Sequence, residues 1–247
     1  MSPESTADGI AWIVIPTFNE AENLEAIVSA VRENVSVLHR ILIVDDSSPD
    51  GTGDIADRLA AESSDLEVLH RPEKEGLGPA YLAGFERALQ GGAERIIQMD
   101  ADFSHDPADV KRLLATLDAT GADVVVGSRY VADGGVTEWG AIRRFISRGG
   151  GLYAQAVLWL RVRDLTGGFK CWRRDALASI DLDAVDSKGY AFQIEMTYRA
   201  IRNGYTVVEM PIVFRDRRVG NSKMSRAIVA EAIWRVPILR LRVRRTG

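Results

Sequence analysis

The chain has 247 residues, 46% of them apolar and 27% charged, the balance of a soluble globular protein long enough to bury a full core. Its 31 cationic and 35 acidic side chains leave a net charge of −4, which excludes the basic footprint of a general nucleic-acid binder. The lone Cys171 excludes an internal disulfide and a cysteine-built zinc site; no signal peptide is visible and no apolar run approaches about 18 residues, so the chain is expected to be made and to stay on the cytoplasmic side.

Met1 to Asp8 reads as a disordered leader. Ile10 to Ile15 is a continuous apolar run, the pattern of a strand buried on both faces of a parallel sheet, and Pro16-Thr17-Phe18-Asn19-Glu20 breaks it. A helix with Leu24, Ile27, Val28 and Val31 on one face follows. Arg40 to Val44 is a second buried strand, ending at Asp45-Asp46. Ser47 to Thr52 turns into a helix around Ile55, Leu59 and Ala60, and Leu66 to Leu69 is a short third strand. Gly76-Leu77-Gly78-Pro79 opens a helix through Leu82, Phe85 and Leu89, closed by Gly91-Gly92. Ile96, Ile97 and Met99 then run into Asp100-Ala101-Asp102. Asp106 and Pro107 read as the N-cap and first residue of a helix around Val110, Leu113, Leu114 and Leu117. The strand Asp123 to Val126 ends in Gly127-Ser128-Arg129.

Strands alternating with helices as far as Arg129 predict an α/β, doubly wound, mostly parallel sheet. Such sheets bind ligands outside the carboxyl ends of their strands, where the strand order reverses. Three predicted strands end in acids there: Glu20, Asp46 and Asp100/Asp102. Read singly, each is a surface carboxylate; their recurrence at successive strand ends points to one crevice. Asp100 and Asp102, two residues apart, point the same way if the strand continues one step and suit a hard divalent cation that shares its shell with phosphate and water. A calcium loop is excluded, because His105 stands where its glycine must be and Lys111 where its closing glutamate must be.

Past Arg129 the pattern changes. Ala132 to Gly140 is a glycine-containing loop, Ile142 to Leu160 a helix interrupted at Gly149-Gly150-Gly151, and Asp164 to Lys170 a turn. Phe192 to Ile201 is helical, and Tyr205 to Phe214 is a strand broken by Pro211. Arg215 to Ser225 is a cationic loop; Ala227 to Val236 is amphipathic and gives way at Pro237 to an arginine-rich end.

No G-x-G-x-x-G follows the first strand and no G-x-x-x-x-G-K-[ST] occurs, so a nucleotide diphosphate in the crevice would be neutralised by a metal and by cations rather than by a glycine-rich helix start. Arg129, Arg217 and Lys223 are the candidate cations, Asp46 a candidate partner for ribose hydroxyls and Glu20 for base or ribose.

The motifs P-T-F-N-E (16–20), D-D-S-S-P-D-G-T (45–52), D-A-D-F-S-H-D-P (100–107), G-S-R-Y (127–130), D-L-T-G-G-F-K (164–170), S-K-G-Y-A-F-Q-I-E-M (187–196) and D-R-R-V-G-N-S-K (216–223) resemble, in order, those of the polyprenol-phosphate (dolichol-phosphate) mannose synthases, inverting glycosyltransferases of the GT-A fold. The resemblance implies one catalytic domain over 1–247, with a nucleotide-binding half at about 9–129, an acceptor-binding half at about 130–226 and an amphipathic basic tail at about 227–247. It implies that Pro16, Phe18, Glu20, Val44, Asp46 and Ala101 line the nucleotide of GDP-mannose, and that Asp100 and Asp102 hold Mg²⁺ or Mn²⁺ with Ser104 near a third ligand position. Asp102, Arg129 and Arg217 are then the residues of the chemistry, Lys223 joins them on the phosphates, and Arg143 and Ser147 grip the acceptor phosphate. Phe18 stands where the family usually has tyrosine, and Ser47 where it usually has glycine.

The acceptor would be a polyprenyl phosphate and the product a β-linked mannosyl lipid. A phosphate monoester is already mostly dianionic at neutral pH and needs no general base. A UDP-glucose donor, or a hydroxyl acceptor with Glu195 recruited as base, stays open as the alternative. A phospho-receiver domain is a poorer match, and a sugar-nucleotide binder without activity is the remaining rival. A lipid acceptor implies a peripheral site on the cytoplasmic face of a membrane, through the surface itself or a membrane-anchoring partner protein. Ile228, Val229, Ile233, Val236 and Leu239 with the terminal arginines form either a lipid-facing helix or an ordinary helix with a solvated basic tail.

Overall fold

The structure, a computed structural model, describes residues 9–137, 140–187, 189–215 and 226–243; the leader expected at 1–8 lies outside the described residues, as does nearly all of the cationic loop, with Arg217 and Lys223. Its elements run β1 (Ala11–Thr17), α1 (Leu24–Asn34), β2 (His39–Asp45), α2 (Thr52–Glu62), β3 (Leu66–His70), α3 (Leu77–Gln90), β4 (Arg95–Gln98), α4 (Asp109–Thr120) and β5 (Val124–Ser128). The second half adds β6 (Gly135–Val136), α5 (Ala141–Leu158), β7 (Lys170–Arg173), α6 (Arg174–Ala178), α7 (Gly189–Arg202), β8 (Val207–Pro211), β9 (Val213–Phe214) and α8 (Arg226–Arg242).

The main sheet has the order β3-β2-β1-β4-β7-β5-β8. Every neighbouring pair is parallel except those made by β7, which runs antiparallel between β4 and β5. Both sheet faces are buried, as the unbroken apolar strands require. Ile13, Ile15, Ile41, Ile43 and Ile97 pack with α1, α2 and α4, while Trp12, Val14, Leu42, Val44, Ile96 and Trp172 pack with α3, α6 and α7. The approach of α3 to the sheet depends on Gly84, where a Cβ would stand 2.4 Å from Val14 Cγ1. A third cluster joins α5, α7 and α8 through Ala154, Leu158, Ile194, Tyr198, Val236, Leu239 and Val243.

Chain progression moves from β1 out to β3 and then returns to the other side of β1 at β4, so the order reverses between β1 and β4. Pro16 tolerates its central strand because Thr17 O accepts from Asp46 N–H on the β2 side, which turns Pro16 toward β4 beyond the last pair there, Val14 with Gln98.

Four expectations are corrected. The glycine triplet does not interrupt α5, because Ala154 and Leu158 anchor the helix to α7 and α8 while Gly149 and Gly150 meet only open space. Pro237 lies inside α8 rather than ending it, and Val236 and Leu239, expected among the lipid-facing residues, are buried on either side of it. Asp106 does not cap α4 directly: it accepts from Ala108 N–H in a turn before the helix begins at Asp109. The 132–140 loop contains β6, paired in parallel with β9.

Candidate active site

Three loops leave the carboxyl edge of the sheet around its reversal point, and each carries a non-glycine residue in the left-handed region: Asn19 after β1 (φ 58°), Ser47 after β2 (φ 60°) and Phe103 after β4 (φ 60°). That conformation is costly for any residue with a Cβ and more so for a bulky one, and strain of this kind collects where a loop must hold a functional shape. Ser47 adopts the geometry that the glycine usual at this place in the resembling family would take freely.

The acids at these exits are built into the loops rather than left dangling. Asp46, buried, accepts from Gly76 N–H at 2.8 Å and Glu75 N–H at 3.3 Å and pairs with Arg71, so it ties the β2 exit to the loop that opens α3. Asp45 accepts from the Thr17 hydroxyl and from Ser48 N–H. Glu20, half-buried, accepts from Asn23 Nδ2 at 2.8 Å. Phe18 carries the Lys74 ammonium over its ring at 3.5 Å. Val44 puts its side chain into the core beneath α3, so only its main chain faces the crevice level.

Asp100 and Asp102 come together around two buried rings. The Tyr81 hydroxyl donates to Asp100 Oδ1 at 2.7 Å, and His105 Nδ1 accepts from Asp100 N–H at 3.1 Å. Burial, with both carboxylates behind it, pushes the Tyr81 hydroxyl well above its ordinary pKa, and burial pushes His105 down against their pull. His105 is therefore a neutral imidazole, stacked on Phe169 at 4.8 Å, with its proton on Nε2. Asp102 Oδ1 accepts from both the hydroxyl (2.6 Å) and the N–H (3.1 Å) of Ser104, which fixes that carboxylate. Ala101, buried, separates the two acids.

Arg129 is joined to the same cluster by a partner that the linear sequence did not reveal. Asp164, 35 residues away and 1% exposed, accepts from Arg129 Nε and Nη2 at 2.7 Å each and from its backbone N–H at 3.0 Å. Burial opposes ionisation of Asp164, yet the Arg129 charge and hydrogen bonds hold its carboxyl below the usual range. Arg129 Cζ lies 5.4 Å from the Phe214 ring, whose edge meets His105 at 5.6 Å, so the pair stands one ring away from the imidazole that holds Asp100. Thr166 adds a hydroxyl to Arg129 Nη2 at 2.8 Å. The signal that was available is D-x-T at 164–166: short acceptors two residues apart, in a turn between a helix and a strand.

Ser147 sits on α5 and accepts from the Tyr130 hydroxyl at 2.7 Å, one residue from Arg129. The Arg143 backbone lies on the same helix one turn earlier. Among the described residues, then, the structure brings Asp100, Asp102, Ser104 and Arg129 into one cluster with Tyr81, His105 and Asp164, and reaches Ser147 through Tyr130. Glu195, the alternative base, is buried and held by Arg199 Nε at 2.8 Å and by Ser187 N–H at 3.3 Å, away from this cluster in a cavity between α7 and α8. Cys171 is a buried core thiol, pushed up by burial to about 12.

A family model described as glycosyl transferase family 2 matches residues 12–181. A polyprenol monophosphomannose synthase of Mycolicibacterium smegmatis is 49% identical over 225 residues, 91% of this chain and 84% of that protein. An undecaprenyl-phosphate mannosyltransferase of Micrococcus luteus is 47% identical over 223 residues, 90% of each chain. Among solved structures, glucosyl-3-phosphoglycerate synthase of Mycobacterium tuberculosis, crystallised with Mn²⁺, UDP-glucose and glycerol 3-phosphate, superposes with a TM-score of 0.68 at 17% identity, over 98% of this chain and 83% of that one. That likeness establishes the fold, and the two sequence relatives establish the kinship: with its acids at the reversal point of a GT-A sheet, the chain belongs to glycosyl transferase family 2 and, within it, to the group that includes these two proteins.

Proposed function

We propose that this protein transfers mannose from GDP-mannose to a polyprenyl phosphate, with inversion, giving polyprenyl-phosphate β-mannose and GDP. The observation that carries the reading is the near-half identity, over nine-tenths of the chain, to two proteins named for mannose transfer to polyprenyl carriers.

Asp100 and Asp102, with the Ser104 hydroxyl beside them, are an all-oxygen set that fits Mg²⁺ or Mn²⁺; an ion there would neutralise the diphosphate as it departs. Among the described residues no three His, Cys, Asp or Glu side chains converge as a complete metal cage, so most of the shell is left to phosphate oxygens and water. Pro16, Phe18, Glu20, Asp46, Ala101 and the main chain at Val44 line the nucleotide. Arg129, held in one orientation by Asp164, meets the phosphates without further ordering of its side chain, and Arg217 and Lys223 complete the cationic set. Arg143 and Ser147 take the acceptor phosphate. With a second pKa of about 6, that phosphate is dianionic at neutral pH and attacks the anomeric carbon without giving up a proton, so the site needs positioned charge instead of a base. The engagement of Glu195 by Arg199 and Ser187 agrees with this.

A lipid acceptor requires a membrane surface, and the exposed faces of α5 and α8 supply one. Phe145, Leu152 and Trp159 recur every seven residues along α5 and are 81%, 57% and 80% exposed. Trp234, Ile238 and Leu241 form a second exposed line on α8, and the helices meet where Arg240 lies over the Trp159 ring. Aromatic and aliphatic side chains flanked by arginines suit the headgroup boundary of an anionic leaflet, here the cytoplasmic one. None of the described helices is long and apolar enough to cross a bilayer, so a surface contact or an anchoring partner protein takes that part.

The test is transfer of labelled sugar from GDP-mannose and UDP-glucose, with and without polyprenyl phosphate and with a chelator. Label should enter the lipid phase only from GDP-mannose and only with polyprenyl phosphate. Asp102→Ala should lower turnover by about 10²-fold or more, the scale of losing a preorganised charge contact. Label passing to a water-soluble hydroxyl acceptor would overturn the reading.

A further inference from the structure

Beneath Asp100, on the α3 and α7 side of the sheet, three polar side chains are sealed from water. Gln98 and Lys170 are register partners on β4 and β7, and Gln193 comes down from α7; none is more than 2% exposed. Gln193 Oε1 accepts from Lys170 Nζ at 2.9 Å and from Gln98 Nε2 at 2.8 Å, while Lys170 Nζ also donates to Gln193 O at 3.0 Å. The Lys170 bond fixes the amide, because a flipped Gln193 would turn its own N–H groups against the Nζ donors. Its Nε2 is thereby directed away from the network, buried and without a hydrogen-bond partner; Gln98 Oε1, on the other side, is likewise left buried without a partner. A buried amide donor with nothing to bind is uncommon and calls for a reason.

The place beside it is kept open by Gly168. A Cβ there would lie 3.5 Å from Gln193 Nε2, 3.5 Å from His105 Cε1 and 3.7 Å from Asp100 Oδ2, ordinary contact distances at a residue outside the positive-φ set. Alanine would fit the free protein without strain, so packing alone does not require glycine. Tyr81 holds Asp100 Oδ1, and Oδ2 is the oxygen nearest the Gly168 position. The space is thus bordered by one donor and one acceptor. A hydroxyl, which donates and accepts at once, satisfies both, and the carboxylate keeps further lone pairs for a metal ion.

We propose that Gln193 Nε2 and the space over Gly168 form the subsite for one hydroxyl of the transferred sugar, with Gln98 and Lys170 as positioning residues that aim the amide. This rests on the sugar-transfer reading above and adds the contact by which the enzyme recognises the sugar rather than the nucleotide. Two variants test it in the full chain. Gln193→Glu keeps the accepting oxygen for Lys170 and Gln98 but replaces the donor; it should fold with an undiminished Tm and lose about 10- to 100-fold in kcat/KM for the donor, the scale of one substrate hydrogen bond lost in a dry site. Gly168→Ala should keep the parent Tm and raise the donor KM with the acceptor KM unchanged. Against donors each lacking one sugar hydroxyl, the parent should discriminate strongly against one, and Gln193→Glu should no longer do so.

A purely structural amide predicts the reverse: a lowered Tm, with kcat/KM per folded molecule intact. Parent-like kinetics in Gly168→Ala, an effect confined to the acceptor KM, or a discrimination pattern shared by parent and Gln193→Glu would each overturn the inference. If Gln193→Glu does not fold, Gly168→Ala and the deoxy-donor series on the parent decide it. A parent that moves no sugar at all would instead sink the functional reading on which the inference stands.

Discussion

From β1 to β4 the strand centres are apolar and the acids Asp45, Asp46, Asp100 and Asp102 stand at the carboxyl edge. From β5 onward charge is sealed more fully and hydrophobic surface goes out. Arg129 with Asp164, Lys170 with Gln193, and the carboxylate of Glu195 are buried, while Phe145, Trp159, Trp234 and Leu241 face outward. The first arrangement suits a ligand that arrives from water, a nucleotide with its charges held at a rim. The second suits a polar headgroup drawn down from an apolar medium into a protein whose outside resembles that medium. On the proposed function the inversion is the point of the second half.

The comparison breaks most decisively at its buried ion pair. Asp164→Ala would leave Arg129 buried and uncompensated, a loss of about 3–5 kcal/mol, which for a chain of this size lowers Tm by about 6–20 °C in a thermal melt. Asp46→Ala should cost visibly less, because Arg71 keeps a second carboxylate partner in Glu75; equal losses would dissolve the contrast between the halves. Next in size is the outward apolar surface. Trp159→Ser with Leu241→Ser should weaken binding to vesicles containing anionic lipid by about 10-fold or more, at about 1.5–3 kcal/mol for a fully buried large side chain, with turnover on a short-chain soluble acceptor unchanged. Parent-like sedimentation with vesicles would remove the membrane assignment. Smaller still, Ser47→Gly should raise Tm by about 2–4 °C by relieving about 1 kcal/mol of left-handed strain.

A separate effect comes from pH. Burial lowers the Lys170 ammonium to about 7, below its unfolded value of 10.5, so between those limits the unfolded chain binds more protons and stability from this group rises with pH. A melt series from pH 7 to 9 should show an upward increment in the parent that is absent from Lys170→Met. Parallel curves would mean that the lysine of the folded protein stays charged across this range.

The first half was open to reading because its signals are local: a run of β-branched residues, an acid at the end, a helix with one apolar face. The edges of β1 to β5 fall within two residues of where the apolar runs placed them, and the position of Asp46, Asp100 and Asp102 at one edge of the sheet follows from its topology. The second half resisted because its structure is set at long range. The four-residue K-C-W-R of β7 has neither the length nor the alternation of a strand, and becomes one only between β4 and β5. The glycines of α5 and Pro237 of α8 break helices by local rule, and the packing of α5, α7 and α8 overrides that rule. Nothing near Arg129 announces Asp164, and nothing near Gln193 announces Lys170. Arg217 and Lys223, though legible as cations in a loop, lie outside the described residues.

The short ladder of β6 and β9 has a mechanical consequence. Gly135 N–H donates to Ile212 O and Thr137 N–H to Phe214 O, at 3.0 and 2.9 Å. The chain just ahead of α5 is thereby stapled to the strand that leads into Arg215. On the proposed function, a tug on α5, such as seating it on a bilayer would give, passes through two backbone rungs to β9 and on, by the Arg215 N–H bond to Ser104 O, to the turn that carries Asp102, so docking is felt at the acids of the sheet edge.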